Sequence, residues 1–264
     1  MKTLLMTLAL AAGLTHAGHA AAVGRMLDLS VYDRTSQRSL PVYQHDGRYY
    51  IAGQPGHRYQ VSLRSRSGDD VLAVLSVDAV NAISGETADW SQTGYVLNPY
   101  ENTDVLGWRK SLTHVADFVF ADFAQSYAVR TGRPDNVGVI GVAVFRRQPA
   151  YVPMQQPIPM RREADAPVAA PPAAEAASRY TAAAQSAPAA ALAKAEAPLG
   201  TGHGQREYSA VNYVDFKRAS STPDEVITLY YDTWEHLRAQ GVVPPAPPRP
   251  GQPEPFPGHF VPDP

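Results

Sequence analysis

The chain reads as mainly β: an immunoglobulin-like β-sandwich with a short α/β C-terminal segment, joined by a disordered Ala/Pro linker. Three observations predict this. Apolar and polar residues alternate with a period of two through residues 24–148. Gly, Pro, Asn and Asp turn signals divide that region into short pieces. Helical periodicity is sparse there, as in sandwiches of this size.

In order, Leu27, Leu29 and Val31 alternate with Asp28, Ser30 and Tyr32, which places the apolar set on one strand face. "PVYQHDGRYYIAG" makes two short strands around Asp46-Gly47, a pair suited to tight hairpins. After Pro55-Gly56, Tyr59, Val61 and Leu63 repeat the alternation. A turn over residues 67–70 leads into "VLAVLSV" at 71–77, which is apolar throughout, as a strand covered on both faces would be. Further strands are expected at 94–97, 105–108, 115–120 and 137–145, with turns at Asn98-Pro99 and Pro134-Asp135-Asn136.

Residues 149–198 are dominated by Ala and Pro and carry too little large apolar surface to offset the entropy of ordering. They are expected to be a linker, and the Pro-rich residues 244–264 an extended tail. Between them, 199–243 form a small strand–helix segment. "LGTGHG" is expected to be a flexible loop leading into it, and "REYSAVNYVDF" a strand. "EVITLYYD" reads as a strand, against a competing helix capped by Thr222. "TWEHLRAQG" reads as a short helix ending at Gly241. A segment this short supports no robust core alone, so it is expected to dock on the sandwich or wait for a partner.

Residues 1–22 have the form of a cleavable signal peptide: Lys2, a short apolar core from Leu4 to Leu14, and small residues ending at Ala20–Ala22. A periplasmic or secreted location follows as an expectation. Lys plus Arg is 23 and Asp plus Glu is 25, a net charge of -2, which gives no electrostatic case for nucleic acid. The chain has no Cys, so disulfides, thiolate nucleophiles and cysteine-based metal sites are excluded.

The motifs of enzyme chemistry are weak. Gly200, Gly202 and Gly204 follow G-x-G-x-G, not the dinucleotide fingerprint, and neither an H-E-x-x-H nor a G-x-S-x-G motif occurs. His114 and Asp117, three apart on a strand, fall on opposite faces. Ser84, Glu86 and Asp89 share a loop and read as a solvated turn. No cofactor, metal site or catalytic residue is therefore assigned. Candidate binding residues are Trp108 with Arg109, an aromatic–cation pair suited to anions or carbohydrate. Arg130 and Arg133 in "RTGRPDN", and His203 and Arg206 beside the glycines, complete the set.

The passages "GQPGHRYQVSLRSRSGDDVLAVLSVDAVN", "GWRKSL", "RTGRPDNVGVIGVAVF" and "LGTGHGQREYS" resemble those of uncharacterised exported proteins of Gram-negative bacteria. The resemblance implies a periplasmic or secreted protein and brings no activity or site. The expected function is a non-catalytic binding or envelope-associated module, without a membrane span after signal cleavage. Its partner would be an envelope protein or cell-wall component. The alternatives are a hydrolase of envelope material or a subunit of a surface assembly.

Overall fold

The computed structural model describes residues 22–149 and 197–244. The expected signal, linker and tail lie outside these residues, apart from the few at their borders. The strands are β1 (Leu27–Asp33), β2 (Arg38–Ser39), β3 (Tyr43–His45), β4 (Arg48–Gly53), β5 (Arg58–Ser65), β6 (Val71–Val77) and β7 (Val80–Asn81). They continue with β8 (Tyr95–Leu97), β9 (Asn102–Val105), β10 (Gly107–Arg109), β11 (His114–Asp122) and β12 (Val139–Arg146). After the undescribed stretch come β13 (Leu199–Tyr208) and β14 (Glu225–Thr233). Two short helices, α1 (Tyr127–Arg130) and α2 (Trp234–Ala239), interrupt the β structure.

Two open sheets result, as in a β-sandwich. One runs β2-β1-β5-β11-β13, with β9 and β10 wedged between β5 and β11. The other runs β3-β4-β14-β12-β6, ending in β7 and β8. The period-two pattern builds the core between them. Leu29, Val31, Tyr59, Val61, Leu63, Phe118 and Phe120 face Val71, Ala73, Leu75, Ile140, Val142 and Leu229. Tyr59 stacks on Phe120 with ring centroids 4.2 Å apart. "VLAVLSV" is apolar throughout because Leu72 and Val74 meet a second cluster on the outer face, with Phe145 and Phe216. Residues expected as one strand at 105–108 divide at Leu106, because β9 pairs with β5 while β10 pairs with β11.

The C-terminal segment is part of both sheets. β13 extends one sheet at its edge by pairing antiparallel with β11. β14 lies inside the other, antiparallel to β12 and parallel to β4. Residues 23–148 alone would leave that sheet in two halves. "LGTGHG" is not a loop but the first part of β13, and residues 209–216 are irregular where a strand was expected. The alternating glycines serve close approach. A Cβ on Gly200 would come within 2.5 Å of Ser126 Cβ, and one on Gly204 within 2.7 Å of Val119 Cγ2. A bulge sets Gly204 and Gln205 opposite Asp117. The strand reading of 225–232 holds, and the helix competing with it does not form. α2 starts at Thr233, whose Oγ1 accepts from His236 N–H, and closes on Gly241 at φ 75°.

A buried polar knot joins these pieces. Asp78 and Ala79 form the two-residue turn between β6 and β7 at φ 51° and 57°. The Asp78 carboxylate accepts from Tyr231 Oη (2.5 Å), Gly138 N–H (2.9 Å) and Thr201 N–H (2.8 Å). Thr201 Oγ1 lies 2.6 Å from both Tyr59 and Tyr231 hydroxyls. Burial pushes the Asp78 pKa up to about 6 against the donors that hold it down. Glu225 binds the amides of Arg25 and Met26 at 2.7 and 2.6 Å, fastening β14 to the start of β1.

Two outcomes follow. A chain cut at a protease site inserted within residues 150–196 stays one particle on size exclusion, while residues 22–149 expressed alone lack a cooperative unfolding transition. The second concerns pH. Folded Asp78 binds its proton more tightly than the unfolded residue, so its contribution is fully present below about pH 4 and is lost as pH rises through about 6. The loss is on the order of 3 kcal/mol. Urea unfolding from pH 4 to 7 reads it as a downward slope that Asp78→Asn flattens.

Candidate functional site

A cleft of about 670 Å³ opens where the β8 edge of one sheet meets β9 and β10 of the other. The strap at residues 210–214, which links β13 toward β14, forms its third wall. Two hydrogen bonds hold the near end of the strap: Ser209 N–H to Thr113 O and Val211 N–H to Leu112 O, both 2.8 Å. Arg109 adds a third hold. Its Nη1 donates to Ser209 O, and Nη2 lies 3.3 Å from Ser209 Oγ.

The guanidinium also lies beside Tyr95. Arg109 Nε is buried, and so is Tyr95 Oη on the facing strand. Burial pushes the Tyr95 hydroxyl up, offset in part by the charge of Arg109 beside it and by a hydrogen bond from that guanidinium. Glu101, also on the wall, is occupied: it accepts from Asn98 N–H at 2.8 Å, Asn98 Nδ2 at 2.7 Å and Thr103 Oγ1 at 3.4 Å. Lys110 stands exposed beside Arg109.

The other candidates gather elsewhere or stay apart. Trp108 is buried, edge-on to Phe118 at 4.9 Å, with its Nε1 unpartnered. The exposed His203 ring lies parallel to it at 6.4 Å and 5.6 Å from Tyr127. Arg133 sits 5.7 Å over Tyr127 and donates from Nη1 to Gly85 O at 3.1 Å. Partial burial pulls the His203 pKa down, helped by Lys110 and Arg130. Trp108, His203, Arg130 and Arg133 thus share one neighbourhood, in which the arginine is spent on loop structure. Arg206 is exposed opposite Ala116 on β13 and joins neither group.

The remaining titratable clusters are structural. Arg34 forks onto Glu207 at 2.7 and 2.6 Å, and Arg58 Nη1 reaches the buried Asp117 at 3.3 Å, fastening β13 to the chain just after β1 and β11 to β5. Asp117 is raised to about 6 by burial and by the neighbouring Glu207, which Arg34 holds down at about 2. His57 Nδ1 lies 2.7 Å from Asp33, and His236 Nδ1 lies 2.8 Å from Asp232 at the start of α2. His114 and Asp117 do not meet: His114 contacts Thr113 and Tyr208. Ser84 Oγ accepts from Glu86 N–H at 3.3 Å, a turn bond. Among the described residues, no group of three or more acidic or His side chains is placed to hold a metal ion, and no helix is long and apolar enough to cross a membrane.

Of the cleft residues, the sequence reading singled out Arg109 and missed Tyr95 and the strap. One signal was available: Tyr95 shares the inward face of its short strand with Leu97, where a hydroxyl needs a partner. Comparison with protein-family models, curated proteins and solved structures returned no match.

Replacing Arg109 with Ala removes the bonds to Ser209 while leaving the sheets paired. Hydrogen exchange at Val211 should then accelerate about tenfold or more, the loss expected of a charged hydrogen bond. Exchange in β5 and β12 should stay unchanged.

Proposed function

We propose that this is an exported, non-catalytic binding protein of the bacterial envelope, periplasmic or secreted, built on an immunoglobulin-like sandwich. The observation that carries the binding assignment is the cleft itself, which opens between the two sheet edges with Arg109 and Lys110 among its lining residues. Its volume falls in the range that holds small organic ligands, and it is lined by apolar side chains with a few convergent polar groups. A binding role is favoured over hydrolysis because the residues lining the cleft include no histidine, and its Ser84 hydroxyl is engaged in a turn. Export rests on the Lys2, Leu4–Leu14 and Ala20–Ala22 pattern and on the resemblance of the quoted passages to exported proteins. The partner on this reading is an envelope or cell-wall component.

Two measurements test it. A fragment library titrated into the isotope-labelled protein should return hits that shift amides of residues 95–96 and 210–214 together. A library that perturbs none of them removes the binding assignment. Mass spectrometry of the full-length product from Gram-negative cells should find it in the periplasm or medium, beginning within a few residues of Ala21. A cytoplasmic product retaining Met1 removes the envelope assignment.

A further inference from the structure

We propose that the basic patch of Lys110, Arg130, Arg133 and His203 takes a phosphate monoester group. It is a second site, separate from the binding role of the cleft: of these residues only Lys110 also lines the cleft.

Three elements bring the cations together. His203 stands on β13 opposite Phe118, and its exposed ring lies parallel to Trp108 at 6.4 Å and 5.6 Å from Tyr127. Tyr127 opens α1, and the exposed Arg130 follows three residues later, a spacing that sets two side chains next to each other on a helical turn. Lys110, also exposed, directly follows β10. Partial burial opposes protonation of the His203 ring, and so do the charges of Lys110 and Arg130. Arg133 steadies the group. Its guanidinium sits 5.7 Å over Tyr127 and donates to Gly85 O at 3.1 Å and to Thr131 Oγ1 at 2.8 and 3.1 Å.

The patch lacks a counter-charge. Among the described residues, none of its four members is in an ion pair, and neither Lys110 nor Arg130 has a side-chain hydrogen-bond partner. The carboxylates on the elements around it are engaged or averted. Asp117 of β11 is buried against Arg34 and Arg58. Glu86, next to Gly85, accepts from Gln92 Nε2 at 3.4 Å. Asp122 pairs with Leu199, four residues along β13 from His203, or about 13 Å at the usual strand rise. Asp135, two residues past Arg133, is exposed to solvent. Like charges gathered without an acid repel one another, and an anion among them turns that repulsion into attraction.

Charge and donor number select the group. A phosphate monoester carries nearly two negative charges and three strong acceptor oxygens. Arg130 offers a planar fork of N–H donors and Lys110 a compact point charge. His203 completes the set by taking up a proton as the anion arrives, because the anion reverses the field that opposes its charge. A carboxylate, with one charge and two oxygens, would leave one cation unanswered.

The test uses the full chain with phenyl phosphate and phenyl sulfate, matched in shape and differing by about one charge near neutral pH. Both are titrated while the His203 ring and Arg130 side-chain signals are followed. The phosphate should shift both sets and bind about tenfold or more tightly than the sulfate, the difference expected of a charged hydrogen bond. In saturating phosphate the His203 titration should move up by about one pH unit or more. Arg130→Gln should weaken the phosphate about tenfold. Arg64→Gln, which removes the same charge from the outward face of β5, should leave it unchanged. No binding of the phosphate, equal affinity for the two probes, an unmoved His203 titration or equal losses in the two variants each overturn the site. Phosphatidylcholine vesicles carrying phosphatidic acid identify the source. Binding of vesicles and phenyl phosphate alike assigns a lipid-borne group, and binding of phenyl phosphate alone assigns a soluble one. Binding of vesicles alone overturns the site. Fragment hits at residues 95–96 and 210–214 bear on the cleft and leave this result untouched.

Discussion

The Asp78 carboxylate is the point on which the assembly of this protein turns. It sits at the tip of a two-residue hairpin and gathers donors from Gly138, Thr201 and Tyr231, which are 60, 123 and 153 residues away in the chain. Thr201 belongs to one sheet and Tyr231 to the other, so a single side chain sets how the two layers meet. A buried carboxylate stripped of one donor is costly, whereas a fully bonded one tolerates a single arrangement. The positive φ of Asp78 and Ala79 adds local strain, which the surrounding bonds outweigh. Specificity of packing, more than net stability, is what such a knot contributes.

From that knot outward, the C-terminal strands position the cleft. β13 brings Ser209 to Arg109, and the strap then crosses between the sheet edges on its way to β14. Arg109 serves two purposes at once. Two of its nitrogens fix the strap, and the guanidinium also engages Tyr95 on the facing strand. Trp108, which the His203 ring stacks beside, directly precedes Arg109 in sequence yet does not share the cleft, because neighbouring residues of a strand point to opposite sides.

Much of the fold was legible in the residues. The alternation in β1 and β5, the Asp46-Gly47 turn and the doubly covered "VLAVLSV" follow from periodicity and turn chemistry alone. What could not be read was long-range. Gly200 and Gly204 lack side chains because Ser126, Val137, Val119 and Asp117 fill that space, a fact absent from the local pattern. "EVITLYYD" announces a strand but not its neighbours, and its place between β4 and β12 depends on pairings across some 80 and 180 residues. Arg109 was noticeable as a cation beside a tryptophan. Its partner Tyr95 was not, because an inward tyrosine declares a need for a partner without saying which.

The central position of β14 has a consequence for the order in which the chain can fold. Synthesis runs from the N-terminus, so β4 and β12 are complete long before residues 225–233 emerge. Until then both carry an open row of backbone groups where β14 belongs, and such rows invite pairing with another chain. Closing the gap requires a distant segment to slide between two waiting strands, parallel to one and antiparallel to the other, and contacts of that span form slowly. The chain is therefore a late folder whose vulnerable interval ends only when residues 225–233 are in place, and a helper that shields open strands during that interval would act on β4 and β12.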